Sequence, residues 1–577
     1  MIFRVAGRWR AEAIVNAAAR IGCAIRGVFV VILLALATVA LAAPSTDAPL
    51  RDAPLRDALR ERTEALRNSR DVRPGGGVIA ARRLIPEFYE SRGFAPVWTD
   101  ADRRHALLTT VRDSVSHGLD PADYQIDVLD RVADAAGRDP RKMADRELLF
   151  TEALIRLVYH LRFGKIDPRE LYPEWNFSRS LGAVQPVQAL EALVRADSLH
   201  DAVERYAPQL ESYRRLRGAL AAYRAIEARG GWPALRPGPT LRPGERDARV
   251  AALRARLAAS ADYVPSGTPE PDLFDDGLRT AVIAFQSHHG LEPDGAVGRL
   301  TLAALQIDVG RRIEQIRVNL ERLRWVAQDI EGDYLIVDIA GFSARLYLDN
   351  RLAWQSRVVV GRPYRKTPTF RAVMQYLVLN PKWVVPPTIL REDVVPKVLR
   401  DARYLAENDM RVVDGSGRAI APAAITWARY RDGGFPYQII QAPGAENPLG
   451  RIKFMLPNEY SVYLHDTPSK ALFGRSERAF SSGCIRLERP LELAVLLLDD
   501  PAQWNAEALQ KAIETGETRT VPVERRVPVM ILYHTVEVGD DGKASFRPDL
   551  YDRDAEISAA LARPFRFSPV GRATKAR

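Results

Sequence analysis

The sequence contains little cysteine, with only Cys23 and Cys484 among 577 residues. Cys23 lies close to the N-terminus, just before an apolar run, so Cys484 is the single thiol of the remaining chain. A single thiol has no intramolecular disulfide partner, which excludes a structural crosslink. Cys484 is therefore either a packed apolar residue or a reactive thiol.

Long apolar runs are also scarce, and residues 28–43 form the one that stands out. Several arginines precede this run, and it ends in Ala40-Leu41-Ala42. Residues 1–43 therefore have the pattern of an export signal, either cleaved or retained as a membrane anchor. No second run of spanning length follows, so we expect the remaining chain to lie in the periplasm or cell envelope.

Charge is nearly balanced, with a net charge of +10 and 27% charged residues. This mildly basic composition suits an anionic wall or membrane surface and does not require nucleic acid, which we do not predict as a partner. The chain is too long for one core, so several domains are expected. Residues 44–78 are rich in Asp, Arg, Pro and Gly and are predicted to be a linker.

Two helical domains are predicted before the first strands. Residues 79–240 show one-face apolar spacing without a catalytic cluster, which indicates a helical scaffold domain. Residues 245–306 have two apolar stripes and a turn-rich connection, which indicate a compact three-helix domain. His288 and His289 are adjacent and have no further ligands near them in sequence, so we predict no metal site there.

From about residue 333 apolar residues recur at every second position, which is the spacing of β-strands. This pattern predicts a mostly β domain, a sandwich or partly closed barrel, over 333–535. Asp349-Asn350 predicts a hairpin turn. Residues 388–448 interrupt the β pattern and are predicted to be a capping insertion, with plain decoration as the alternative. Residues 536–577 form a C-terminal extension, and the whole chain is predicted to be a multidomain α+β protein.

Two segments of the β domain carry residues suited to acyl transfer. In the first, His465 and Tyr463 alternate with apolar residues, so both are expected on the face opposite the core. In the second, Cys484 and Arg486 alternate with Ile485 and Leu487 in the same way. A thiol beside a histidine base is the pair of groups that covalent catalysis by a cysteine nucleophile requires.

The backbone beside the thiol supplies a further element. Gly483 permits a sharp turn, and the N–H groups from Ser482 to Cys484 can form an oxyanion hole. Thiol acyl transfer needs no metal and no organic cofactor, and neither is predicted. One sequence does not establish that the side chains of Cys484 and His465 meet.

Residues 245–306 resemble the peptidoglycan-binding domain family. The resemblance rests on Phe285-Gln286, His289-Gly290-Leu291, Asp294-Gly295, Val297-Gly298 and Thr301. It implies a module that binds or orients the cell wall.

The β domain resembles the YkuD-type L,D-transpeptidases through His465 and the segment Ser481-Ser482-Gly483-Cys484-Ile485-Arg486. Many members of this family have His where this chain has Ser482, and Asn where it has Arg486. The large YcbB-like murein branch shares the Ser-Ser-Gly-Cys form, and the further similarities to it are Tyr463-Leu464-His465-Asp466-Thr467-Pro468, Asn380-Pro381-Lys382-Trp383 and Phe546-Arg547-Pro548-Asp549-Leu550-Tyr551.

The resemblance implies an enzyme that forms 3-3 crosslinks between peptidoglycan stem peptides. Cys484 would be the nucleophile and His465 the base, with Tyr463, Arg486, Trp383 and Asn380 as candidate substrate-binding residues. Donor and acceptor tetrapeptide stems are the implied partners, and carbapenem-type β-lactams the implied covalent inhibitors. The alternatives are an L,D-carboxypeptidase, which uses water as the acceptor, and a wall-binding structural protein without activity.

Overall fold

Helices form most of the first half of the chain in this computed structural model, which describes residues 53–69, 72–180, 184–265 and 270–565. The scaffold helices are α1 (Ala53–Asn68), α2 (Leu84–Ser91), α3 (Ala101–Asp113), α4 (Ile126–Ala133), α5 (Pro140–Phe163), α6 (Pro186–Arg195), α7 (Leu199–Glu204) and α8 (Glu211–Ala228). They share one apolar core, as the helical pattern of residues 79–240 predicts.

Helix α1 lies within the segment predicted to be a linker. Leu55, Leu59 and Leu66 are buried in the scaffold core, and α1 packs against α5. The prediction of a linker over 44–78 is therefore wrong for residues 53–68. The prediction rests on the high content of Asp, Arg and Pro in this segment. The segment also contains three leucines at helical spacing, which suffice to bury one face of a helix.

Three helices form the domain after the scaffold, as predicted. They are α9 (Val250–Ala259), α10 (Asp276–His288) and α11 (Arg299–Leu305), and they enclose their own core around Phe285. His289 is buried and stacks on Phe285 with ring centroids 3.8 Å apart, so it is part of the packing of this domain.

Helix α12 (Val309–Val326) joins this three-helix domain to the β domain and also completes the scaffold core. Its buried Glu321 accepts hydrogen bonds from the Ile166 amide at 2.8 Å and from the Trp325 indole at 3.1 Å. The guanidinium of Arg324 lies 2.7 Å from the same carboxylate and 2.9 Å from the Tyr213 hydroxyl. Buried charges of this kind require partners, and here the partners tie α12 to the scaffold.

Residues 334–546 contain the strands. They are β1 (Tyr334–Asp338), β2 (Ser343–Leu348), β3 (Arg351–Gly361), β4 (Phe370–Val373), β5 (Tyr376–Leu379), β6 (Trp383–Val384), β7 (Met410–Val413), β8 (Ala419–Ile420), β9 (Gln438–Gln441), β10 (Ile452–Met455), β11 (Leu464–His465), β12 (Ala479–Ser481), β13 (Ile485–Leu487), β14 (Arg519–Pro522), β15 (Pro528–Leu532), β16 (Val536–Val538) and β17 (Ala544–Phe546). The Asp349-Asn350 turn joins β2 to β3 with both residues at positive φ, as the sequence predicts.

The β domain is built on one curled sheet of eleven strands, which confirms the mostly β prediction. Its order is β14-β5-β10-β11-β13-β3-β2-β1-β15-β4, and β12 pairs with β3. The shorter helices of the remaining chain are α13 (Pro387–Ile389), α14 (Val395–Arg400), α15 (Tyr404–Glu407), α16 (Pro490–Leu498), α17 (Ala506–Glu514) and α18 (Asp554–Leu561). α16 and α17 contribute to the core beneath the sheet.

The insertion over 388–448 has its own sheet and its own core, which its irregular sequence pattern does not reveal. Strands β6, β9, β7 and β8 form a separate four-stranded sheet. Its apolar core includes Trp383, Val395, Leu405 and Ile439, and Tyr463, which immediately precedes β11, packs against that core. The insertion is thus a small folded unit seated beside the residues predicted to be catalytic.

Residues 536–561, which belong to the predicted C-terminal extension, are integral to the fold. β16 and β17 form a two-stranded sheet that packs on the scaffold core, and α18 packs against α12. Over the described ranges no helix has the length and apolarity needed to cross a bilayer, and the apolar run at 28–43 falls outside those ranges.

Candidate active site

Strands β11 and β13 bring the two predicted catalytic segments together. They pair in parallel, with His465 opposite Arg486 and Leu464 opposite Ile485. Cys484 immediately precedes β13, and the amide of Ile485 donates to the Tyr463 carbonyl at 3.1 Å. Ile485, Leu487 and Leu464 are buried in the core, so the alternation expected from the sequence is confirmed.

The strand that carries His465 is short and starts at Leu464. Ser461 has a φ of 55°, and the Asn458 side chain accepts hydrogen bonds from the amides of Tyr460 and Val462. This local turn precedes the strand and places the Ser461 carbonyl 3.9 Å from the Cys484 sulfur.

The His465 imidazole is buried and held in one tautomer. Its Nδ1 lies 2.5 Å from the Asp466 carbonyl, which can only accept, so Nδ1 carries the proton. Burial, with the positive charges of Arg486 and Lys453, lowers the pKa of His465 to about 3. The ring is therefore neutral near pH 7, with its lone pair on Nε2, and the Leu449 backbone also lies near the ring.

The Cys484 thiol is also largely withdrawn from solvent. Burial raises its pKa, while the Tyr463 side chain and the charges of Lys453 and Arg486 act in the opposite direction. The Tyr463 ring lies 5.6 Å from the His465 ring in an edge-on arrangement. Because burial disfavours both charged forms, the resting pair is a neutral thiol and a neutral imidazole.

Gly483 is held by a network beneath the thiol. Its carbonyl accepts from the buried Thr367 hydroxyl at 2.8 Å, and the same hydroxyl accepts from the Gly361 amide at 2.9 Å. The Tyr551 hydroxyl donates to the Gly361 carbonyl at 2.6 Å and accepts from the Thr367 amide at 3.1 Å. Gly483 has a φ of 116°, a conformation that other residues rarely adopt.

Of the residues predicted to form the oxyanion hole, Gly483 donates its amide within its own loop, and Ser482 hydrogen-bonds to Arg365. The Gly483 N–H donates to the Ser481 hydroxyl at 3.1 Å. The Ser482 hydroxyl accepts from Arg365 at 2.7 Å. The guanidinium of Arg365 also lies 2.6 Å from both Glu392 and Asp393 of the insertion, so it joins the insertion to the loop that carries Cys484.

The remaining predicted substrate residues lie in different surroundings. Trp383 is buried in the core of the insertion, which Tyr463 also contacts. Asn380 is buried and its amide donates to the Ile513 carbonyl at 2.9 Å and the Glu517 carbonyl at 3.2 Å. These bonds tie β5 to the end of α17, so the geometry gives Asn380 a structural role.

Lys453 lies in the site and was not predicted from the sequence. It pairs with His465 across β10 and β11, and its Nζ lies 3.8 Å from the centroid of the Tyr463 ring. Lys453 alternates with the buried Ile452 and Phe454, and this pattern is the signal that could have placed it on the same face as His465. Thr367 and Arg365 lie in a loop without a period, so no comparable signal exists for them.

Three family models match the chain. Residues 83–220 match a scaffold domain, residues 246–305 a putative peptidoglycan binding domain, and residues 332–524 an L,D-transpeptidase catalytic domain. The third range contains the sheet apart from β15, the insertion, and both Cys484 and His465.

Two curated relatives are similar to parts of the chain. A putative L,D-transpeptidase of Haemophilus influenzae is 34% identical over 247 residues, covering 43% of this chain and 49% of the relative. The N-acetylmuramoyl-L-alanine amidase CwlM of Mycobacterium tuberculosis is 40% identical over 81 residues, covering 13% of this chain and 20% of the relative. The chain thus spans about half the length of the first and a fifth of the second.

A solved L,D-transpeptidase from Mycobacterium smegmatis overlaps 35% of this chain and 58% of its own length, with 13% identity and a TM-score of 0.17. The family model matched over 332–524 includes the paired strands β11 and β13 with the loop between them. Residues 332–524, which contain Cys484 and His465, are thus similar to the L,D-transpeptidase catalytic domain family.

Proposed function

We propose that the protein is a peptidoglycan L,D-transpeptidase that forms 3-3 crosslinks through a thioester on Cys484. The observation that supports it most is the pairing of β11 with β13, which sets His465 beside the strand that follows Cys484. The matched catalytic-domain and peptidoglycan-binding models agree with a wall substrate.

In the proposed reaction, the sulfur of Cys484 attacks the carbonyl of the third residue of a tetrapeptide stem. His465 accepts the thiol proton on Nε2, because Nδ1 is already a donor to the Asp466 carbonyl. The tetrahedral intermediate collapses when the terminal D-alanine leaves as an amine that has taken this proton. A thioester on Cys484 remains.

An amine on a neighbouring stem then attacks the thioester. His465 takes the proton of the attacking amine and returns it to the sulfur, which restores the thiol. The Gly483 amide is engaged with Ser481, so we expect the amides of Ser482 and Cys484 to supply the donors to the oxyanion. Water in place of the amine would give the tripeptide product of a carboxypeptidase.

The neutral resting pair suits a nucleophile that is activated only when substrate is bound. His465 is buried and Cys484 is partly buried, so a thiolate and an imidazolium become favourable when the reacting carbonyl can accept the developing charge. The insertion, joined through Arg365 to Ser482, would cap the cleft and exclude water. Exclusion of water favours the amine acceptor.

A wall substrate places the protein in the cell envelope. The basic and apolar segment at residues 1–43 is expected to direct export, with cleavage and membrane anchoring both open.

The test is incubation of the purified protein with disaccharide-tetrapeptides, followed by mass analysis of the products. Crosslinked dimers are expected to exceed tripeptides, and Cys484→Ala should abolish both. A carbapenem should add once, on the peptide containing Cys484. Tripeptides without dimers would identify a carboxypeptidase, and unchanged turnover by Cys484→Ala would overturn the assignment of the nucleophile.

A further inference from the structure

Two cationic side chains flank His465 on the same face of the sheet. Lys453 on β10 and Arg486 on β13 are each in register with His465 on β11, so the three form one row across adjacent strands. Residues paired in this way project to the same side of a sheet. The row lies on the face that also carries Tyr463 and the loop of Cys484.

Neither cation has an acidic partner among the residues that the structure describes. Lys453 contacts the Tyr463 ring, and the Nε of Arg486 is buried without a hydrogen-bond acceptor. Burial lowers the pKa of both groups, and an ionised Cys484 would act on both in the opposite direction. Burying cations without a counterion is costly, so such pairs usually mark a site for an anion.

The nearby carboxylates of this region are already paired elsewhere. Asp466 accepts from Lys470 at 2.6 Å, and Glu488 pairs with Arg357. Arg362 adds a third positive charge close to Arg486. These carboxylates therefore do not neutralise the positive charge beside the Cys484 thiol, which is available to bind an anionic ligand.

We propose that Lys453 and Arg486 form a carboxylate-binding site next to Cys484, which holds a free carboxylate of the donor stem peptide during acylation. This inference rests on the proposed function for the identity of the peptide, but not for the existence of the anion site. A tetrapeptide stem carries a free carboxylate at its C-terminus and can carry another on the side chain of its third residue.

The anion site can be tested without peptidoglycan by alkylating Cys484 in the full-length protein. Iodoacetate carries a carboxylate and iodoacetamide does not, and both attack the same thiolate. The ratio of their rates at one pH, followed by mass spectrometry of the Cys484 peptide, is therefore independent of the thiolate fraction. We expect this ratio to exceed that of free glutathione by on the order of ten-fold, and to fall as salt is added.

Variants assign the effect to named residues. Lys453→Gln and Arg486→Gln should each lower the ratio several-fold, and Lys453→Arg should retain it. Lys511→Gln, which removes an exposed lysine of α17 paired with Glu507, should not change it. Circular dichroism checks that each variant is folded. A wild-type ratio equal to that of glutathione, or an unchanged ratio in folded Lys453→Gln, would overturn the proposal.

Two amidated donors identify the carboxylate. One tetrapeptide is amidated at its C-terminus and the other at the side chain of its third residue. Amidation of the carboxylate that the site binds should remove the difference in acylation rate between wild type and Lys453→Gln. If neither amidation changes this difference, the site does not bind a carboxylate of the donor stem, and that assignment is overturned. If crosslinking fails while the iodoacetate preference persists, the proposed function fails and the anion site stands.

Discussion

At the scale of single residues, the properties of the candidate active site follow from the desolvation of Cys484 and His465. The pKa of the thiol is raised by burial, and that of the imidazole is lowered to about 3. Between these two values both groups are neutral. The free protein should therefore hold little thiolate at the pH of the envelope.

This neutrality predicts how alkylation of Cys484 depends on pH. The thiolate reacts, and its fraction rises about ten-fold per pH unit below the thiol pKa. The rate of reaction with iodoacetamide should rise continuously from pH 6 to pH 8. The measurement is the rate of modification of the Cys484 peptide across this range, and a rate that is constant from pH 5 to pH 8 would instead indicate a preformed thiolate-imidazolium pair.

At the scale of elements, the loops around the site depend on a few hydrogen bonds. The buried Thr367 hydroxyl joins the Gly361 amide to the Gly483 carbonyl. Gly361 has little room, because a Cβ added there would lie 2.1 Å from the Arg365 carbonyl. The loop beside the nucleophile is thus held at fixed distance from β3.

Thr367→Val is predicted to slow acylation of Cys484 by about ten-fold. The substitution keeps the shape of the side chain but leaves the Gly361 amide and the Gly483 carbonyl without their partner, at a cost of about 1–3 kcal/mol each. Carbapenem acylation rates provide the measurement. Thr367→Ser should restore the rate, and Thr520→Val, on an exposed part of β14, is the matched control. Wild-type rates in Thr367→Val would show that this network does not position the nucleophile.

The insertion has a different role, which two changes should reveal. Replacing residues 388–448 by a brief Gly-Ser connection should leave Cys484 reactive toward a small thiol probe, while crosslinked dimers fall much more. The reason is that a cap excludes water and holds two stems together. Product analysis and probe labelling are compared on the same preparation, and unchanged dimer formation would make the insertion decoration.

A gentler variant avoids exposing the core around Trp383. Glu392→Gln combined with Asp393→Asn removes both ion pairs with Arg365 and keeps the insertion. It should shift products in the same direction, from dimers toward tripeptides. Asp401→Asn, at an exposed position of the insertion, is the matched control and should give the wild-type product ratio.

At the scale of the whole molecule, α12 joins the scaffold, the three-helix domain and the sheet. Glu321 on this helix is fully buried and is bonded to Ile166, Arg324 and Trp325. Its removal leaves the Arg324 cation buried beside neutral partners. Losing the partner of a buried charge usually destabilises a protein more than removing a surface charge does.

Glu321→Ala is accordingly predicted to lower the free energy of unfolding by about 3–5 kcal/mol. Chemical denaturation followed by circular dichroism measures the change. Glu524→Ala, at an exposed glutamate, should change it by less than about 0.5 kcal/mol. Equal stabilities of the two variants would mean that α12 is not anchored through this charge.

The sequence by itself determined which side of each strand carries the chemistry. Leu464, Ile485 and Leu487 had to be buried, and His465, Cys484 and Arg486 had to face away from them, because successive residues of a strand project to opposite faces. The three helices of residues 245–306 and the hairpin at Asp349-Asn350 follow from similarly local patterns.

Only the tertiary structure decided which strands are neighbours. The pairing of β10, β11 and β13 sets Lys453, His465 and Arg486 in one row, and it depends on packing between segments that are far apart in sequence. The same holds for α1, because its leucines are buried only when the helix packs against α5. It also holds for the insertion, because its strands pair across long loops. Local periodicity is a property of the backbone, whereas strand order and register are properties of the assembled core.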